Sequence, residues 1–285
     1  MPIAKDGRSG ARNEMAEAYL KLLSDSLQFS LWEEPPVRVS ERPHQSFVRN
    51  ALLKAANAVL APLGAETVWR TEISEHQRKN GMFWPSAAHT MIGEYRMNNV
   101  REALETVIRD NVPGDVIETG VWRGGTCILM RGILKAHGED ERKVVVADSF
   151  AGLPPPDKER YPADKGDTHH KYSELAISRA QVEENFRKYG LLDDQVVFVE
   201  GFFEDTLHRL ENERFALIRL DGDMYSSTIQ ALDALYPKLS PGGFCIIDDF
   251  GLKGCEKAVL DYRAAHGIED EMIEIDWTGM FWRKS

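Results

Sequence analysis

Two regimes of apolar patterning meet near Thr90. Before it the pattern is irregular. Met15, Ala18, Tyr19, Leu22 and Leu23 recur at helical spacing and predict a helix over Asn13–Gln28, and a second is predicted over Phe47–Ala61. Trp32-Glu33-Glu34-Pro35-Pro36 separates the two, because proline lacks the backbone donor that a continuing helix needs. After Thr90, short apolar runs alternate with amphipathic stretches, which is how βαβ units on a parallel sheet are written. The predicted order is helix Asn99–Arg109, strand Asp115–Glu118, helix Thr126–Ala136 and strand Val144–Asp148. A long loop through Pro154-Pro155-Pro156 then leads to helix Ser178–Tyr189 and strand Val196–Glu200. Helix Glu204–Leu210, strand Ala216–Asp221, helix Thr228–Lys238, strand Gly243–Asp248 and helix Cys255–Ala265 follow. Two last extended segments, Met272–Asp276 and Gly279–Arg283, are separated by Trp277-Thr278, a hairpin-length gap. The fold class this predicts is α/β: a mainly parallel, Rossmann-like sheet of seven strands with a terminal antiparallel hairpin, preceded by a helical extension. We place the extension at residues 1–88 and the sheet domain at 89–285.

Composition narrows the function. The 285 residues carry 35 Lys+Arg against 46 Asp+Glu, a formal charge of −11, which disfavours nucleic acid and anionic membrane surfaces as partners. Hydrophobic residues make up 42%, and no window approaches the roughly 20 apolar residues of a membrane span. The opening Met-Pro-Ile-Ala-Lys-Asp-Gly-Arg-Ser-Gly shows no apolar run after its positive charges, so a cytoplasmic location is expected. Cys127, Cys245 and Cys255 form no Cys-x-x-Cys pair and are expected to be reduced and buried rather than disulfide-bonded or zinc-binding.

In open α/β sheets, ligands sit outside the carboxyl ends of the strands. The first such end reads Glu118-Thr119-Gly120-Val121-Trp122-Arg123-Gly124-Gly125, a strand running through a glycine-bearing turn into a helix. Glycine lets a ligand approach the backbone closely, and Glu118 can accept hydrogen bonds from a cationic amine. A dinucleotide site would need Gly-x-Gly-x-x-Gly, a spacing this turn does not have, and its pyrophosphate would be repelled by Glu118. An aminoacyl sulfonium, with a positive amine and sulfur, suits the turn better. The second strand ends in Asp148-Ser149-Phe150, where a carboxylate can bridge a ribose diol. The third leads to Gly201-Phe202-Phe203, whose rings could cover an adenine or belong to the core.

Leu217-Ile218-Arg219-Leu220-Asp221-Gly222-Asp223 and Phe244-Cys245-Ile246-Ile247-Asp248-Asp249 end two successive strands in carboxylates. Converging acids repel unless a hard cation joins them, and oxygen ligands alone point to Mg²⁺ or Mn²⁺ rather than zinc. Asp221, Asp248 and Asp249 are the expected metal ligands, with Asp223 nearby as an alternative base. Capping of a following helix is an alternative role for Asp223 or Asp249. His169 and His170 fall in the long polar loop, where a solvated or substrate-covering segment is expected. Trp84, Trp277 and Trp282 offer surfaces for an apolar ligand or for packing.

Together with His89-Thr90-Met91-Ile92-Gly93, Ala147-Asp148-Ser149-Phe150-Ala151-Gly152-Leu153-Pro154, Leu220-Asp221-Gly222-Asp223-Met224-Tyr225 and Ile275-Asp276-Trp277-Thr278-Gly279, these segments resemble the macrocin O-methyltransferase family over roughly Trp84 to Arg283. The resemblance implies a class I methyltransferase fold, S-adenosylmethionine as donor, Mg²⁺, and an acceptor hydroxyl on a deoxysugar of a glycosylated natural product in antibiotic biosynthesis. It further implies that Thr90, Met91 and Ser178 line the cofactor pocket, and that the early helices form a lid and a homo-oligomer interface. The metal aspartates map onto Asp221, Asp248 and Asp249, and the general base onto Asp221. Two other readings stay open: a catechol-type small-molecule O-methyltransferase, separable by an acceptor screen, and a non-catalytic nucleotide- or metal-binding module, separable by labelled-methyl transfer.

Overall fold

The computed structural model describes residues 6–38, 47–70 and 72–285. The first five residues, read above as lacking a signal or anchor, lie outside the described residues. In chain order the elements are α1 (Asp6–Leu27), β1 (Val37–Arg38), α2 (Phe47–Leu60), β2 (Val68–Trp69), α3 (Glu75–Asn80) and α4 (Glu94–Arg109). Then come β3 (Asp115–Thr119), α5 (Gly125–His137), β4 (Val144–Asp148), α6 (Arg179–Lys188), β5 (Val196–Glu200) and α7 (Phe203–Thr206). The chain ends with β6 (Phe215–Leu220), α8 (Tyr225–Leu235), β7 (Leu239–Ile247), α9 (Lys253–His266), β8 (Ile273–Glu274) and β9 (Met280–Arg283).

The 7-stranded sheet has the order β5-β4-β3-β6-β7-β9-β8. Its first five strands run parallel, while β9 pairs antiparallel with both β7 and β8. The chain winds outward from β3 to β5, then returns to β6 on the other side of β3. That reversal opens a crevice at the carboxyl ends of β3 and β6. Strand residues alternate between two cores, as a pleat requires: Val144 and Val146 face the core shared with α4 and α5, while Val145 and Ala147 face the one shared with α8 and α9. Both faces are covered, which is why these strands are apolar throughout.

Several boundaries differ from the periodicity, the start of α1 at Asp6 rather than Asn13 and of β7 at Leu239 rather than Gly243 among them. α4 starts at Glu94 rather than Asn99, because its first buried positions include Arg96, 5% exposed, and a charge on the buried face interrupts the apolar period. α8 begins at Tyr225, three residues before the predicted Thr228, on Ser226 and Ser227, which are buried and polar. The terminal hairpin is wider than its predicted two-residue gap: Ile275 to Gly279 form a loop folded around buried Asp276, which accepts hydrogen bonds from the amides of Thr278 at 3.1 Å and Gly279 at 2.8 Å. Cys127, Cys245 and Cys255 are buried free thiols. No described helix is long and apolar enough to cross a membrane.

α1 is no appendage. Leu20, Leu23 and Leu27 belong to the same core as α4, α5 and the sheet. α5 admits α1 at Gly132, where a methyl group would stand 2.2 Å from Leu23 Cδ2. The Leu27 carbonyl also accepts the His89 amide at 2.8 Å, so α1 is bonded across the boundary set at residue 88. Leu27→Ala is expected to cost about 2–5 kcal/mol in urea unfolding, whereas Leu22→Ala, at a position 58% exposed, should change stability little. Equal effects at the two sites would contradict a shared core.

Candidate active site

The carboxyl ends of β3, β4, β6 and β7 open into one cavity of about 860 Å³. Gly120 follows β3 with φ 82°, and a Cβ there would stand 1.7 Å from the Asp221 carbonyl oxygen. Only glycine fits, and its absence of a side chain brings the β3 turn directly against the β6 turn. Asp148 braces the same region: Oδ2 accepts the Val121 amide at 2.7 Å and Oδ1 the Phe150 amide at 2.7 Å. Burial raises its carboxyl above the usual range in spite of these donors. Trp122, Phe150 and Asp223, each just beyond a strand end, adopt left-handed φ values of 47°, 53° and 58°. Such backbone costs of order 1–3 kcal/mol per residue and collects where geometry serves function.

Of the residues expected to bind a cofactor, Thr90, Met91, Glu118, Gly120, Val121 and Trp122 line the cavity. Asp148, Ser149, Phe202, Phe203 and Asp221 line it as well. Thr119, Arg123, Phe150, Ser178 and Gly201 are not among the lining residues. Thr119 is buried between β4 and β6. Arg123 turns away, donating to the carbonyls of Ser86 at 3.1 Å and Ala88 at 2.7 Å. The Phe150 ring packs 6.0 Å from that of Phe198. Ser178 caps α6, accepting the Gln181 amide at 3.3 Å, and Gly201 donates to the Asp148 carbonyl at 2.9 Å. Glu118 is only 1% exposed, and its oxygens are both engaged: Oε1 by Arg219 and Oε2 by the Cys127 thiol at 2.8 Å. Its carboxylate is thereby fixed in place at the cavity lining, each oxygen keeping a further lone pair.

The acidic side is organised by two arginines that the sequence pattern does not single out. Arg219, next to last in β6, is 1% exposed and donates to Glu118, to Asp221 Oδ2 at 2.8 Å and to Asp248 Oδ1. Arg96 of α4 donates to Asp248 Oδ2 at 2.5 Å and to Asp276 Oδ2 at 2.9 Å. Burial opposes charge on both, but the surrounding carboxylates, Asp248 foremost, carry the pKa of each above its ordinary value. A signal was present: Leu217-Ile218-Arg219-Leu220 sets a cation inside an apolar run, and a buried cation requires partners.

With both oxygens of Asp248 held by guanidiniums, the carboxylates that gather are Asp221, Asp223 and Asp249, whose ligating oxygens lie within 4.8 Å of one another. Asp223 N donates to Asp249 Oδ2 at 2.9 Å, which folds the β6 turn onto the β7 end. Burial, then repulsion from Asp221, Asp248 and Asp167, pushes the Asp223 carboxyl up to about 8. Burial and neighbouring aspartates raise Asp221 and Asp249 well above the carboxylate range too. This oxygen-only set, short of positive charge, fits a hard divalent cation.

His169, Trp84 and Trp277 also line the cavity. Trp282 is buried instead and donates to the Tyr236 hydroxyl at 3.2 Å.

The sheet order, with a glycine turn set against an acidic cluster at its switch point, defines an O-methyltransferase of the class I fold. The chain belongs to the macrocin-O-methyltransferase (TylF) family, which it matches over residues 16–284. It is 51% identical over 214 residues, 74% of this chain and 84% of the relative, to the mycinamicin III 3''-O-methyltransferase of Micromonospora griseorubida. It is 50% identical over 213 residues, 74% of this chain and 81% of the relative, to the demethyldecarbamoylnovobiocin O-methyltransferase of Streptomyces niveus. The structure of the O-methyltransferase NovP superposes with a TM-score of 0.80 at 42% identity, covering 95% of this chain and 99% of that one. CalS11, a calicheamicin methyltransferase, shares the fold at 17% identity and a TM-score of 0.54, over 84% of this chain and 94% of that one.

His89 stands behind Thr90 with Nδ1 2.8 Å from the Tyr189 hydroxyl. Burial, with Lys188 and Arg123 nearby, lowers its pKa from 6.5 to about 4. In that window the unfolded chain binds a proton the folded chain refuses, so stability falls as pH drops from 6.5 toward 4. His89→Gln should show a smaller loss of Tm across this window than the wild type in thermal melts. An unchanged pH dependence would remove His89 from the account.

Proposed function

We propose that this enzyme transfers a methyl group from S-adenosylmethionine to a deoxysugar hydroxyl on a glycosylated natural product, with Mg²⁺ at its aspartate cluster. The observation that carries this reading is the contact of Gly120 with the Asp221 backbone, which sets a donor-binding turn and a cation-binding cluster against each other in one cavity. The relatives' acceptors, mycinamicin III and demethyldecarbamoylnovobiocin, support a large natural-product acceptor. A cavity of about 860 Å³ has room for donor and sugar together, and Trp84 and Trp277, both about half exposed at its lining, offer apolar surface to an aglycone.

Asp221, Asp223 and Asp249 would hold the ion, with Asp223 in the place expected for Asp248. Asp248, gripped by Arg96 and Arg219, would fix the end of β7 behind them. When bound, Mg²⁺ supplies Lewis acidity that lowers the pKa of a coordinated hydroxyl. Asp221 accepts the proton of the attacking hydroxyl, with Asp223 as the alternative acceptor. The Gly120 turn, Asp148 and Thr90 orient the donor, and holding oxygen and methyl in line is worth roughly 7–11 kcal/mol at best.

Chelation should abolish methyl transfer to a glycosylated macrolide or aminocoumarin acceptor, and added Mg²⁺ should restore it. Asp221→Asn should reduce kcat by about 100-fold or more while leaving donor affinity by calorimetry intact. Full activity in EDTA, or a preference for a catechol over every glycoside in the same screen, would overturn the reading.

A further inference from the structure

The excursion between β4 and α6 holds a buried carboxylate that the proposed reaction does not use. Asp164 lies in a short 3₁₀ turn, Pro162–Asp164, yet is only 3% exposed. Its Oδ1 accepts the Tyr225 amide at 2.7 Å and its Oδ2 the Ser226 amide at 3.0 Å, 61 and 62 residues further along the chain. Those are the first amides of α8. The residue at the capping position, Met224, has no side chain able to cap, so the helix takes its cap from a distant loop. α9 closes the third side: a Cβ on Gly254 would stand 3.0 Å from the Tyr225 nitrogen and 3.5 Å from Asp164 Oδ1.

The location gives this cap its meaning. α8 begins two residues after Asp223, whose left-handed backbone, φ 58°, turns its carboxyl toward Asp221 and Asp249. A strained residue keeps its conformation only while its surroundings over-determine it. On one side of that turn, the Asp223 amide is held by Asp249 at 2.9 Å. On the other side, the hold is Asp164. The same excursion carries Arg160, Tyr161 and His169 into the cavity wall, and among its other links to α7 and α8 are Arg160 to Glu204 at 2.9 Å, with side chains 60% and 49% exposed, Gln230 to the Tyr161 hydroxyl at 3.3 Å, and the Tyr161 ring 6.1 Å from that of Tyr225.

We infer that Asp164 is a positioning residue for the aspartate cluster: by capping α8 from the excursion, it makes docking of that loop over the cavity and assembly of the Asp221–Asp223–Asp249 site a single event. The inference rests on the cation reading above. It predicts a link between two properties that independent elements would not share, the loop's protection and the cluster's demand for cation.

The test compares wild type, Asp164→Ala and Asp164→Asn in the full-length chain, by Mg²⁺ titration of methyl transfer, limited proteolysis, and amide exchange at Tyr225 and Ser226 with and without Mg²⁺. Asp164→Ala should raise the half-saturating Mg²⁺ concentration roughly fivefold, the factor that loss of a helix cap corresponds to. It should also lower kcat with the KM for S-adenosylmethionine unchanged, expose residues 157–171 to protease, and speed exchange at both amides. Asp164→Asn, which keeps an accepting oxygen, should recover most of each property. A globally unfolded alanine variant would show raised exchange in the central strands as well, and the asparagine variant then decides. Wild type indifferent to divalent cation would overturn the cation reading, and the inference with it. A cation-dependent wild type with an unchanged midpoint in both variants overturns the inference alone, as does a shifted midpoint without loss of loop protection.

Discussion

A guanidinium sealed inside a parallel sheet must find its counter-charges there or destabilise the fold, and Arg219 finds three. It ties the carboxyl ends of β3, β6 and β7 through Glu118, Asp221 and Asp248, and Arg96 extends the chain of charge to Asp276 in the terminal hairpin loop. Removing one member of such a buried network typically costs about 3–5 kcal/mol, because the partner left behind remains out of water. The network thereby holds strand ends in register that twist and loop freedom would otherwise loosen.

Its compensation is uneven. The inner carboxylates, Glu118, Asp248 and Asp276, meet arginines directly, whereas among the described residues no arginine bonds to Asp223 or Asp249, which line the cavity with Asp221. Negative charge is thus drawn off at the back and left standing at the front. A low-dielectric wall behind acids concentrates their field on whatever occupies the cavity.

The sheet was legible because strands covered on both faces are written as unbroken apolar runs, and their acidic tips stand out against them. Asp221, Asp223 and Asp249 come together as neighbouring strand ends should. What stayed hidden depends on contacts across the chain. Arg96 and Asp276 lie 180 residues apart, and neither shows its partner in local pattern. Nothing near Asp248 in sequence marks the two guanidiniums that hold it at the cavity lining. The burial of Glu118 depends on β6 arriving beside it, with Arg219 directly opposite in the ladder. Likewise Thr119 and Phe150 sit in motif segments that line the cavity, yet both are buried away from it.

The seam between α1 and the sheet bears on how such enzymes can be recombined. Leu27 contributes its side chain to the main core and its carbonyl to His89, the residue immediately before the cavity wall at Thr90. A hybrid that takes its leading helix from one relative and its catalytic body from another would join two halves of a single interior, with the mismatch felt one residue from the cavity wall. A crossover anywhere between α1 and His89, the exposed stretch around α2 included, divides that interior, so Leu20, Leu23 and Leu27 must travel with the α5 residues they pack against.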